Sequence, residues 1–394
     1  MDHVGERVRR CRLWRGLTQQ QLADLVGWPK SAVSMLETGA RGLDSRARLR
    51  QLASALRVAP TDLTGEPYPL DAPGLADAQT GVPALESALM DTRIGDCTDF
   101  EPRTLDELDA QVRGPLLTAA KAADGAALMA MLPGLIVELQ TYGRDERALR
   151  LLVATCTETT HRLRFVGQVP LAFIAAERAA EAAALVGDPI LTAAAEFARA
   201  HSRPTAGQGM ARAGDAADRM PHTLVDTDQW AQEVYGMLRL TAALAAQVRG
   251  DTATAEEQAD EAARVAELHG EREDTWEEFG VANVNVWRTT LAVEAGEPAR
   301  ALEHAAAVDM AALPWRRRRA ALLLDTARAH HQMGRAHTRQ AIAALREAER
   351  LAAHTRASPW ARDLVQVMLA QSIREAGGRE LRGLAYRMGL DASP

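Results

Sequence analysis

Residues 17–41 constrain the fold of this chain more than any other stretch, because they carry the start and stop signals of two short helices. Thr18 can cap a first helix, since its hydroxyl accepts from the free amides of the first turn. Gly27 can end that helix in the left-handed conformation, and Pro29 suits the first turn of a second helix. Apolar residues at helical spacing supply the buried faces: Leu22, Ala23 and Val26 in the first helix, Val33 and Leu36 in the second. The pattern predicts two helices joined by a tight turn.

The same stretch resembles the Cro/phage-repressor (XRE-type) helix-turn-helix family. The matching positions are Thr18, Gln19, Leu22, Ala23, Gly27, Val33, Ser34, Glu37, Gly39 and Arg41. The resemblance spans residues 4–63 and implies a five-helix DNA-binding domain in residues 1–64. The alternative is a helical hairpin whose polar face is merely solvated.

The resemblance also implies which side chains contact DNA. They are Thr18, Gln19, Lys30, Ser31, Ser34 and Arg41. Gln19 would bind a phosphate and brace the second helix, whereas Lys30 and Ser31 stand at the family's base-reading positions. A lysine can donate to guanine, and a serine can donate or accept. Ser34 would reach a base or a phosphate, and Arg41 the DNA backbone. Since one such domain reads only a few base pairs, we expect a homodimer on a two-fold operator in double-stranded DNA.

Charge supports this interpretation independently. Residues 1–65 hold ten arginines and one lysine against six acidic residues, a net charge of +5. The whole chain carries −7, so the remainder carries −12. A basic module on an acidic body is typical of a nucleic-acid-binding protein whose other domain has a different task.

The rest of the chain is expected to be helical, because Ala, Leu, Arg and Glu dominate it and aromatic residues make up only 4%. Residues 65–82 contain three prolines and three glycines, which predicts a linker. We assign residues 65–104 to this linker, with one short helix at 83–90. Residues 105–394 form the second domain.

An internal repeat runs through residues 105–394. A long Ala/Leu-rich helix ends in glycine, and alanine follows five positions later; the clearest copies pair Gly143 with Ala148, Gly250 with Ala255 and Gly296 with Ala301. The pattern resembles a degenerate tetratricopeptide (TPR) repeat, which implies an all-α solenoid of antiparallel helix pairs with a concave groove. Residues 203–228, rich in glycine and proline, break the pattern and are expected to be a disordered loop. With the XRE-type head, the whole resembles actinobacterial regulators of this size.

Two segments carry candidate ligand-binding residues. Asn283, Trp287 and Thr290 share one helix face, and Asn283 and Asn285 are the chain's only asparagines. An amide side chain can both donate to and accept from a peptide backbone. The alternative is a buried asparagine tied to a loop, with Trp287 as core. Arg316 opens a run of four arginines that could hold a carboxylate or phosphate, or simply form a solvated face.

Other function classes lack support in the sequence. The three cysteines are far apart, which favours a reducing cytoplasm, and no metal-ligand spacing, cofactor motif or catalytic pattern is present. No uncharged run is long enough to cross a bilayer. We therefore expect a cytoplasmic transcriptional regulator, not an enzyme, whose second domain dimerises and senses a peptide or small molecule. The alternative is a TPR-like interaction scaffold controlled by a protein partner.

Overall fold

The computed structural model describes residues 3–65, 79–202, 207–270, 272, 275–371 and 378–390, and within these ranges the chain is helical and has no strand. The expected all-α fold is confirmed. The first five helices form the head: α1 (Val4–Trp14), α2 (Gln19–Val26), α3 (Lys30–Glu37), α4 (Arg46–Leu56) and α5 (Pro60–Thr64). The body begins with α6 (Val82–Met90), α7 (Leu105–Gln111), α8 (Leu117–Lys121), α9 (Gly125–Thr141), α10 (Glu146–Phe165), α11 (Val169–Val186) and α12 (Pro189–Ser202). It continues with α13 (Gly207–Asp218), α14 (His222–Thr227), α15 (Gln229–Arg249), α16 (Thr252–His269), α17 (Val281–Ala295) and α18 (Pro298–Ala306). The last helices are α19 (Arg316–Gln332), α20 (Thr338–Leu351), α21 (Pro359–Gln371) and α22 (Gly378–Arg387).

The head closes around a small apolar core, and its helix boundaries follow the signals in the sequence. Thr18 accepts from the Gln21 amide at 3.1 Å, and the Gln21 side chain accepts from the Thr18 amide at 2.8 Å, which completes a capping box. Gly27 ends α2 in the left-handed conformation, with φ of 68°. The core side chains come from all five helices: Val8, Leu22, Ala23, Val33, Leu36, Leu49, Leu52 and Leu63.

The body consists of helices that pack in consecutive pairs joined by short turns, so partners run antiparallel. Examples of such consecutive pairs are α10 with α11, α15 with α16, α17 with α18, and α19 with α20, while α13 also packs closely on α15. Helices end where these copies of the repeat predicted, since Gly143, Gly250 and Gly296 each follow a helix. The alanines five positions later are fully buried between helices: Ala148, Ala255 and Ala301.

Two segments differ from expectation. The loop expected over residues 203–228 is wrong for its described part, since α13 and α14 occupy 207–218 and 222–227. Alanine and methionine side chains of α13 pack on α15 and outweigh the weak helix propensity of its glycines. Of the predicted linker, residues 66–78 lie outside the described residues. Helix α6 packs on α9 and α11 as part of the body core.

The body closes on itself through α10 and α19. Trp315, just before α19, packs into the apolar core built around α10. Arg317 on α19 lies 3.4 Å from Glu158 on α10. The ring of Phe165, at the end of α10, stacks on His354 with centroids 4.1 Å apart. The space between these helices is therefore lined by side chains from both halves of the body. None of the described helices combines the length and apolarity needed to cross a membrane.

Candidate functional site

Helix α3 presents a polar edge to solvent while its other face builds the head core. Lys30 and Ser31, at its amino-terminal end, are exposed, and Ser34 one turn later is half-buried. Val33 and Leu36 on the opposite face are buried. The predicted base-reading positions, Lys30 and Ser31, are therefore exposed to solvent in the described structure.

A buried network fixes the orientation of α3 in the head. The Glu37 carboxylate, 1% exposed, accepts from Arg12 Nε at 2.5 Å and Nη2 at 2.9 Å. Gln19 Nε2 donates to the same carboxylate at 2.8 Å. The hydrogen bonds that Arg12 donates to Glu37 raise the pKa of Arg12. Glu37 thus ties α1, α2 and α3 together, and Gln19 makes the bracing contact that the family resemblance implied.

The remaining predicted DNA contacts lie at the margins of this face. The Thr18 side chain is exposed and is used as the cap of α2. Arg41 follows α3, is half-buried, and lies 3.4 Å from Asp44. Both positions stay predictions as DNA contacts.

The predicted ligand face of α17 points inward, and each of its residues has a different environment. Asn283 is fully buried, and its Nδ2 donates to the Glu277 carbonyl at 3.1 Å. Trp287 is 5% exposed, and its indole nitrogen has no hydrogen-bond partner in the described chain. The Thr290 hydroxyl donates to Asp325 at 2.6 Å. Arg316 is exposed and stands apart from these three.

The interior holds a charged group that we call the inner cluster: Glu158, His161, Arg164, Glu277, Arg317 and Arg318. Arg317 Nη2 donates to Glu277 at 2.6 Å. His161 Nε2 lies 3.3 Å from Glu277 but without hydrogen-bond geometry. Burial alone would raise the pKa of Glu277, yet Arg317 and His161 hold it well below its usual range. Glu277 is thus a charged hub between α10 and α19.

Glu277 lies in a strained turn. Glu277 and Glu278, in the short 3-10 segment between α16 and α17, have φ of 52° and 57°. Left-handed backbone costs a non-glycine residue on the order of 1–2 kcal/mol. Contacts of the carboxylates hold the turn: Glu277 with Arg317, and Glu278 with the Trp315 amide at 2.8 Å.

The head is docked on the body through the segment that follows α3. Glu294, at the carboxyl-terminal end of α17, accepts from the Arg46 amide at 2.7 Å and from Arg46 Nη1 at 2.5 Å. Asp363 on α21 accepts from the Leu43 amide at 2.9 Å. The Arg46 guanidinium also lies over the Trp360 ring, 5.2 Å from its centroid. The position of α3 relative to the body is set by these contacts.

A chain of polar contacts continues from this docking site along α17. Arg328 donates to Glu294 at 2.8 Å, to the Asp44 carbonyl at 2.9 Å and to Asp325 at 2.7 Å. Asp325 in turn accepts from Thr290. One face of α17 therefore connects the inner cluster with the head. Asn283 and Trp287 lie at the end of this face beside the cluster, and Glu294 lies at the end beside the head.

Sequence reasoning missed most of this interior. It named Arg316 at the start of the arginine run, whereas the structure buries the next two arginines. The hydrophobic residues on either side of the run, Trp315 and the alanines after Arg319, offered a signal, because they place one edge of that helix in the core. The contributions of α10 have no local signal, since Glu158 and Arg317 are far apart in the chain.

Comparison with known proteins agrees with the geometry of the head. Residues 3–64, which form the head, match the family model described as a helix-turn-helix domain. The chain is 38% identical over 58 residues to the HTH-type transcriptional repressor RghR of Bacillus subtilis. That match covers 15% of this chain and 43% of the repressor. No solved structure was found to match the chain.

Proposed function

We propose that this protein is a sequence-specific DNA-binding transcriptional regulator. The observation that carries the proposal is the exposed amino-terminal edge of α3, with Lys30 and Ser31, held on a buried Glu37–Arg12–Gln19 network. A rigid helix with exposed donors is what reading base edges in a major groove requires. The match to a helix-turn-helix domain and to part of a transcriptional repressor supports it.

The proposal extends to the body. We infer that the TPR-like helices dimerise and sense a peptide or small molecule in the cytoplasm. In a dimer, the docking at Glu294 and Asp363 would set the separation of the two heads. A ligand that favours one arrangement of α17 would shift that separation toward or away from the operator spacing. Its effect cannot exceed its differential affinity for the two arrangements.

The test is selection of DNA sites from a random pool by the full-length protein, with and without extract of the host. A two-fold motif whose recovery changes with extract supports the regulator. Affinity for that motif should fall steeply with salt while the sequence preference persists. Recovery of no motif would contradict the proposal.

A second candidate is a scaffold whose body takes a protein partner. A surface groove of about 670 Å³ between α6, α11 and α12 favours it, because Met90 at its edge is 56% exposed. Ultrafiltration of the extract separates the two candidates. If the effector is small, the filtrate keeps the extract's effect on DNA binding. If it is a protein partner, the filter retains that effect.

A further inference from the structure

The interior of the body holds three guanidinium groups whose side chains form no hydrogen bond within the described residues: Arg162, Arg164 and Arg318. Arg162 is 5% exposed, and within the described residues neither its side chain nor that of Arg164 forms a hydrogen bond or an ion pair. The Arg318 side chain forms no hydrogen bond there either, and its only carboxylate contact is 4.0 Å to Glu277. Guanidinium donors that are buried without acceptors are costly, since a buried charge needs hydrogen-bonded partners.

Two neutral hydrogen-bond donors in the same region also lack acceptors. The indole nitrogens of Trp287 and Trp315 are buried and have no partner within the described chain. The Arg318 guanidinium lies over the Trp287 ring, 5.5 Å from its centroid. Burying a donor without an acceptor is unfavourable, because the donor loses its hydrogen bond to water. These open donors lie beside Arg317 and Arg318, since Arg317 lies over the Trp315 ring and Arg318 over the Trp287 ring.

The net charge of the inner cluster favours the binding of an anion. Burial raises the pKa of Glu158 and of Glu278 to about 7, so each is partly neutral at pH 7. Burial, with Arg317 and Arg318 nearby, lowers the pKa of Arg164 to about 10, which still leaves it charged. Positive charge therefore exceeds negative charge. The Arg318 side chain is 16% exposed, so the cluster also has contact with solvent.

We propose that the inner cluster is a binding site for a small oxyanion, a carboxylate or phosphate group, held by Arg318 and Arg164 beside the indole of Trp287. Such an anion satisfies the open guanidinium donors, which suit planar, bidentate recognition of these groups. The inference rests on the proposed function only for its consequence at the head. Arg46 of the head contributes to the lowered pKa of Arg164, so a bound anion would relieve repulsion between them and favour the docked head.

The experiment is thermal unfolding of the full chain in potassium phosphate, against potassium chloride at equal ionic strength. With phosphate at about ten times its dissociation constant, we expect a rise in Tm of about 2 °C. Arg318→Gln should abolish the rise. It should still fold, because the Arg318 side chain donates no hydrogen bond within the described residues, and Arg164→Gln serves as a second variant. The control is Arg339→Gln, an exposed arginine on α20.

A second arm separates the sources of the anion. N-acetyl-trialanine is compared as free carboxylate and as amide. Stabilisation by phosphate, or by the free carboxylate and not the amide, supports the proposal and tells which oxyanion the site prefers. Equal stabilisation by the amide would overturn it, as would no saturable rise with either anion. If only Arg316→Gln abolishes the rise in Tm, the anion binds outside the inner cluster, which would also overturn the proposal. None of these readings uses DNA, so failure here is distinct from failure of the regulator proposal.

Discussion

Replacing Glu294 with glutamine should release the head from the body. The Glu294 side chain is 1% exposed and accepts from both Arg46 and Arg328. Arg46 and Arg328 lower its pKa even though burial alone would raise it, so it is charged when docked. Glutamine keeps one acceptor but turns an amide group toward two guanidinium groups. Removing one partner of a buried ion pair costs about 3–5 kcal/mol. Because Arg328 keeps Asp325, we expect the lower end, about 3 kcal/mol.

Hydrogen exchange of the Leu43 amide measures this release. That amide donates to Asp363, not to Glu294, so it reports on docking and not on the mutated contact itself. A loss of about 3 kcal/mol should speed its exchange on the order of 100-fold. The control is Glu297→Gln, whose carboxylate is 46% exposed. Unchanged protection of Leu43 in Glu294→Gln would refute the claim that Glu294 holds the head.

Three further predictions concern stability. Glu37→Gln should lower the free energy of unfolding by about 3 kcal/mol in urea titrations, because it leaves Arg12 buried without its carboxylate; a change below about 0.5 kcal/mol would show that the network is not a brace. Gly236→Ala should lower Tm, since the added Cβ would lie 2.1 Å from the Phe279 ring and overpacking costs about 1–3 kcal/mol; an unchanged Tm would contradict this packing. Burial raises the pKa of Asp363 to about 7, so the folded state holds an extra proton between about pH 4 and 7 and this group's contribution to stability falls as pH rises through that window. Asp363→Asn should therefore match the wild type near pH 4 and exceed it by up to about 4 kcal/mol at pH 8, and an advantage that is independent of pH would disprove the assignment.

The head could be predicted from the sequence because its determinants are local. Thr18, Gly27 and Pro29 mark the helix ends, and the apolar face of α3 follows from spacing alone. The helix ends at Gly250 and Gly296 follow from the same kind of signal. Each of these features depends on residues within a few positions of one another.

The interior and the docking of the head could not be predicted, because they depend on contacts between distant residues. Arg46 meets Glu294 and Leu43 meets Asp363 across most of the chain. Glu277 adopts a left-handed conformation that nothing in its own sequence favours. That backbone is held by Arg317, which the sequence alone does not place beside it.

The central claim, that α3 reads DNA, is tested most directly by the affinity of Lys30→Ala for the selected site and for a set of sites with single base changes, at one salt concentration. Lys121→Ala, which removes the chain's only other lysine from the body, is the matched control. The account predicts that Lys30→Ala loses preference at one base position by about 5–100-fold, the value of one good base contact, while the control keeps it. An unchanged preference in Lys30→Ala, or an equal loss in both variants, would contradict the claim.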